Sequence, residues 1–190
     1  MLGLPDFPLI LNGICSNAFK KLQIFQFKDA CKFVSLLPYR RNVDKTDPLA
    51  VLVEAHGTCS TKHALLKRLA DEQNQTKITL QLGIFEMNEN NTPVLSPLLK
   101  EKQLQAIPEA HCYLKYDKRR FDFTGNDKIK LDIEKEIIAE YEINPSDIFT
   151  RKQEIHKNFL IQWLLVNKIS HLNQQQVWEL REACINIISN

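Results

Sequence analysis

In the stretch TKITLQLGIFEMN (76–88), Ile78, Leu80, Leu82 and Ile84 alternate with Thr79, Gln81 and Gly83, and this pattern constrains the chain more than any other feature. Side chains two apart share a face of a strand, whereas side chains three or four apart share a face of a helix. The segment therefore has one continuous apolar face only as a strand. The segments around it carry the other period. In FKDACKFVSLLPY (27–39), Phe27, Ala30, Cys31, Val34 and Leu37 make a helical stripe that Pro38 ends. A strand set among helices predicts an α+β fold.

Further elements follow from local signals. TDPLAVLVEAHG (46–57) reads as a short helix, with Asp47 as cap, Pro48 at the first position and Gly57 closing it in a left-handed conformation. The next helix begins near Cys59 and buries Ala64, Leu65, Leu66 and Leu69. Residues 88–110 read as a long, polar, proline-marked connection with a turn or two of helix around 96–104, of the kind that often walls an active site. AHCYLKYDKRRFDFTG (110–125) reads as a β-hairpin. Capping-box patterns at Thr150/Gln153 and Asn173/Gln176 open two C-terminal helices, and Val177, Leu180, Cys184 and Ile187 form the buried stripe of the second. Trp163 and Trp178 read as core. The expected organisation is one domain over 1–190, with a core at about 27–125 and a helical part at about 144–190.

Composition excludes some functions. The net charge is +2, from 25 Lys and Arg against 23 Asp and Glu, too balanced to steer the chain toward nucleic acid. Arg40–Arg41 and Arg119–Arg120 read as solvated surface. Pro5, Asp6 and Pro8 break the first apolar run, so no signal peptide is expected, and no run is long enough to span a membrane. The five cysteines are odd in number, scattered and without a CxxC pair, which fits free thiols in a reducing cytoplasm.

The hairpin carries the candidate chemistry. A two-residue turn at Asp117–Lys118 sets Tyr113 opposite Asp122, and one at Lys118–Arg119 sets Lys115 there. Both put Asp122 on the sheet face of His111. The first makes the two diagonal neighbours about 7–8 Å apart along the backbone, within side-chain reach. A three-residue loop would reverse the parity. The opposite face carries Cys112, Leu114, Phe121 and Phe123. A carboxylate that orients an imidazole needs only a nucleophile to complete a triad. Of the five cysteines, only Cys59 stands at a helix N-terminus, where the helix dipole favours thiolate. Cys31 and Cys184 lie on apolar helical faces. Asp117 is the rival acid, but an Asp in a turn serves its own backbone.

GTCSTKHALLKRLADE (57–72), followed by HCYLKYDKRRFDFTG (111–125), resembles the transglutaminase-like superfamily over roughly residues 47–125. That family shows a cysteine at a helix start, a histidine followed two residues later by an aromatic on a strand, and an aspartate on the next strand. The resemblance implies a papain-like core, with Cys59 as nucleophile, His111 as base and Asp122 as orienting acid, Tyr113 being the aromatic. It implies thiol-dependent acyl chemistry, hydrolysis or transfer, on an amide, peptide or protein substrate, without cofactor, metal or calcium cluster. Phe123 replaces the family's frequent proline, and no tryptophan precedes Cys59 to act as oxyanion donor. The Cys59 N–H supplies one donor, and Tyr39 or Asn42 are the side chains to consider for the second.

Two other readings compete. One is a non-catalytic module holding a peptide or protein on the same fold. The other is a zinc site formed by His56, Cys59 and His63, in which Cys59 and His63 share a helix face. Under the triad reading His56 and His63 are surface or supporting residues, and His156 and His171 are structural.

Overall fold

The structure, a computed structural model, describes residues 1–189. The fold is α+β: seven α-helices surround a four-stranded antiparallel sheet. In chain order these are α1 (Ile14–Lys21), α2 (Phe27–Leu36), α3 (Ala50–Val53), α4 (Cys59–Glu72), β1 (Thr79–Asn88), α5 (Ser96–Glu101), β2 (Ala106–Tyr116), β3 (Arg119–Phe121), β4 (Ala139–Ile143), α6 (Thr150–Val166) and α7 (Gln174–Ser189). The sheet order is β3-β2-β1-β4. No helix among the described residues is long and apolar enough to cross a membrane.

The sheet is covered on both faces. The even-numbered residues Leu80, Leu82, Ile84, Ala110, Cys112 and Leu114 share one apolar cluster with Phe19 of α1, Phe27 and Val34 of α2, and Leu65, Leu66 and Leu69 of α4. Phe85, Met87 and Ile107 on the other face join Leu160, Trp163 and Leu164 of α6 and Val177, Leu180 and Cys184 of α7. Alternation along β1 correctly separates these faces, but both are buried, as expected when helices lie on each side.

The hairpin has the first of the two registers. Leu114 pairs with Phe121, and Asp117 and Lys118 form a two-residue turn with φ of 46° and 66°. Both turn residues are left-handed, the geometry of the hairpin turn whose twist matches that of the strands. Phe121 and Phe123 enter the apolar cluster with Cys112 and Leu114.

Several expectations need correction. The helix expected over 46–57 is only α3, four residues long. Asp47 does accept the Leu49 N–H at 2.9 Å, but the left-handed residue after α3 is Ala55, with φ of 54°. Gly57 instead bridges Tyr39 as a parallel pair, and a Cβ there would lie 2.9 Å from both Val51 and Thr61. It is glycine because the chain passes close to its neighbours, not because of its φ. The connection after β1 is shorter than expected, since β2 begins at Ala106. β4 pairs with β1 from outside the expected 27–125 core, and α1 had no clear signal. Its N-terminal N–H groups are held by Glu72 of α4, which accepts from Cys15 and Ser16 at 2.9 and 2.7 Å. Thr150 does not cap α6, whereas Asn173 and Gln176 do form the reciprocal pair at α7, both bonds 2.9 Å.

Candidate active site

Cys59 is the first residue of α4. Thr58 caps the helix in a reciprocal arrangement with Thr61, whose hydroxyl accepts the Thr58 N–H at 3.0 Å. Thr61 Oγ1 also donates to Asn42 Oδ1 at 2.7 Å, tying the cap to the chain before α3. As the first residue, Cys59 has a backbone N–H with no acceptor inside the helix.

His111, on β2, lies with Nε2 2.8 Å from Asp122 Oδ2, just beyond β3. The Thr124 N–H donates to the other Asp122 oxygen at 2.8 Å. Nδ1 is therefore the ring nitrogen left for Cys59. Burial disfavours charge on His111, but Asp122 and then Cys59 outweigh it and push its pKa up to about 10. Burial likewise works against the Asp122 charge, and His111 overcomes it, holding the carboxyl well below its usual range. The Cys59 thiol is held well below its ordinary value, first by a hydrogen bond with Cys112 and then, against burial, by the charges of Lys152 and His111.

Cys112 and His111 point to opposite faces of β2, yet both act on one sulfur. This is possible because β3 pairs with β2 only from Leu114 onward, leaving the edge of β2 open beside Cys112. Ser60 Oγ joins the group, 3.8 Å from Cys59 Sγ and 3.5 Å from Cys112 Sγ, and accepts from Lys152 Nζ at 2.7 Å.

His63 is fully buried and supports the same residues. Its Nε2 accepts the Phe123 N–H at 2.8 Å, so the proton resides on Nδ1, which donates to the Cys59 carbonyl at 2.7 Å. Burial, foremost, lowers its pKa and keeps it neutral. Nε2, without a proton, makes no ion pair with Asp122 at 3.5 Å. Both nitrogens of His63 are thus occupied by backbone, and those of His56 face the carbonyls of Glu54 and Arg41 at 2.7 and 3.2 Å. This geometry does not fit the zinc reading, and no group of three potential ligands is arranged for a metal among the described residues. His63→Leu leaves the buried Phe123 N–H unpaired and should lower stability by about 2 kcal/mol, measured by urea unfolding.

A cavity of about 140 Å³ opens over Cys59. Its far wall comes from α6 and α7, including Lys152, His156, Trp178 and Arg181, and no residue of 88–105 lines it. The polar connection expected to wall the site borders a separate cavity instead. Burial lowers the pKa of His156, read from the sequence as structural, to about 4, against the smaller opposing effect of Glu109. Trp178 is not simply core. It lies edge-on to His156 and under the Lys157 and Arg181 cations.

Of the side chains considered for a second oxyanion donor, Asn42 is occupied: Nδ2 donates to the His56 carbonyl at 2.9 Å. Tyr39 lines the cavity. Burial, then charge on Cys59, raises its pKa well above normal and keeps its hydroxyl a donor. The arginine pairs are less solvated than expected, since Arg41 pairs with Glu182 at 2.7 Å and Arg120 with Glu140 at 2.8 Å.

Lys152 and the Glu109–Arg181 pair carried no sequence signal. Their partners, Ser60 and each other, are remote in sequence. Comparison with protein-family models, curated proteins and solved structures finds no match.

Proposed function

We propose that the chain is a thiol enzyme of transglutaminase-like type, acting on an amide or peptide acyl group through Cys59, His111 and Asp122. The observation that carries this reading is the 2.8 Å His111–Asp122 bond beside a cysteine at the first position of a capped helix. The Cys59 thiolate attacks the acyl carbon, and the carbonyl oxygen takes the charge. The Cys59 N–H and the Tyr39 hydroxyl are the donors for that oxygen. As the C–N bond breaks, the His111 imidazolium gives its proton to the leaving amine. A water, or a second amine, then attacks the thioester and passes its proton to His111 as the C–S bond breaks. Asp122 stays ionised and holds the ring. A papain-like core is consistent with α4 packed against β2, which bears the histidine. The helix dipole adds to the preference for thiolate.

Intact-mass analysis with p-nitrophenyl acetate tests the reading. An acetyl adduct should appear on Cys59 at pH 6 and then decay. Cys59→Ala should give no adduct at that pH. Absence of the wild-type adduct from pH 5 to 9 would overturn the assignment.

A further inference from the structure

The charges lining the cavity over Cys59 are unevenly matched. Four basic side chains, Arg41, Lys45, Lys152 and Arg181, face two carboxylates, Glu109 and Glu182. Both carboxylates are already engaged. Glu109 accepts two N–H groups of Arg181 at 2.5 Å each, and Glu182 accepts from Arg41 at 2.7 Å and also pairs with Arg181. Neither Lys152 nor Lys45 has a carboxylate within ion-pair distance among the described residues.

Lys152 is the unusual member. It lies in the first turn of α6 and is only 9% exposed. The sole hydrogen bond of its ammonium group among the described residues goes to Ser60 Oγ at 2.7 Å, leaving two of the three N–H groups free at the cavity. A buried cation without a paired anion is costly and is normally compensated by an opposite charge. Burial works against its charge, but the Cys59 thiolate foremost, and Glu109, keep it protonated. The thiolate supplies part of the compensation, yet it is the group that becomes a neutral thioester during the proposed reaction. Lys152 would then stand beside an acylated sulfur with no anion to replace it.

We infer that Lys152 recognises a carboxylate on the acyl substrate, so that this enzyme takes small acyl compounds bearing a negative charge close to the carbonyl that Cys59 attacks. The inference rests on Cys59 being the nucleophile. The cavity volume, about 140 Å³, is that of a small group, and a cavity of about 150 Å³ holds a benzene-sized molecule. Lys45 at the same cavity adds a second unmatched positive charge. A carboxylate entering here meets no unpaired carboxylate, whereas a cationic acyl group would meet two lysines.

Two alkylating agents that differ only in charge provide the test. Second-order rate constants for iodoacetate and iodoacetamide at Cys59 are measured on the pH plateau, and their ratio is compared with that for glutathione. The wild-type ratio should exceed the glutathione ratio at least tenfold. In Lys152→Met it should fall at least fivefold, whereas Lys152→Arg should retain most of it. A lysine that merely stabilises the thiolate would shift the pH profile of both reagents together and leave the plateau ratio unchanged, which would overturn the inference. Succinate should slow iodoacetamide labelling of the wild-type protein more than succinamide does. Equal protection by both compounds would also overturn it, without relying on the folding of a variant. If Cys59 reacts with neither reagent below pH 7, the triad itself has failed, a result distinct from an unchanged ratio.

Discussion

In His111→Ala, alkylation of Cys59 by iodoacetamide at pH 5.5 should fall about 10- to 100-fold. An ordinary thiol, with a pKa near 8.5, is about 0.1% ionised at that pH. A thiol held well below its ordinary value is ionised to a far larger extent at that pH. The gain in thiolate is partly offset, because a less basic thiolate is also a weaker nucleophile. The net advantage is on the order of tenfold, and it grows when removal of the imidazolium leaves burial opposed only by Cys112 and Lys152. The direction follows from the pair: Cys59 is lowered and His111 raised to about 10, so thiolate and imidazolium coexist from acid pH up to about 10. The wild-type labelling rate should therefore be flat across most of that range, while the variant rate should rise with pH. Cys112 and Lys152 also lower the Cys59 pKa, so part of the effect survives in the variant. A variant profile that coincides with the wild type would remove His111 from the site.

Arg181→Met should cost about 3–5 kcal/mol of stability and lower Tm by about 10–15 °C. Glu109 and Arg181 face each other with side chains 6% and 10% exposed, joined by two parallel N–H···O bonds. Removing one partner leaves the other charge buried and unpaired, and that penalty, rather than the net worth of the pair, sets the size of the effect. The double variant Glu109→Gln/Arg181→Met should therefore recover most of the loss. Thermal unfolding followed by circular dichroism measures all three proteins. Additive losses in the double variant would show that the two residues act independently. The pair also joins β2 to α7, so the wall of the cavity depends on it.

The candidate triad was legible because its geometry is local. His111 and Asp122 lie on the two arms of one hairpin, and their juxtaposition needs only the period of two and the turn at Asp117–Lys118. Cys59 was legible for a similar reason, since a helix start is a local event marked by Thr58 and the apolar residues that follow. The zinc reading arose from the same closeness in sequence and failed in three dimensions. His63 points back to the Cys59 carbonyl and across to the Phe123 amide, so the histidine four residues from the cysteine serves the backbone of the site. Only the distant contact with Phe123 reveals this.

The alternation at 78–84, the helical stripes beside it and the hairpin parity were sufficient to determine an α+β fold and to place an imidazole against a carboxylate. Each depends on side-chain periodicity within one or two adjacent elements. Tertiary structure alone decided what surrounds Cys59. It removed the 88–105 connection from the cavity, brought α6 and α7 to it, and set Lys152 of α6 against Ser60 of α4. Packing α6 and α7 on the second face of the sheet depends on the shapes of two whole surfaces. No short stretch of residues encodes such a contact, because its free energy is distributed over the cluster of Phe85, Met87, Ile107 and the helices that cover them.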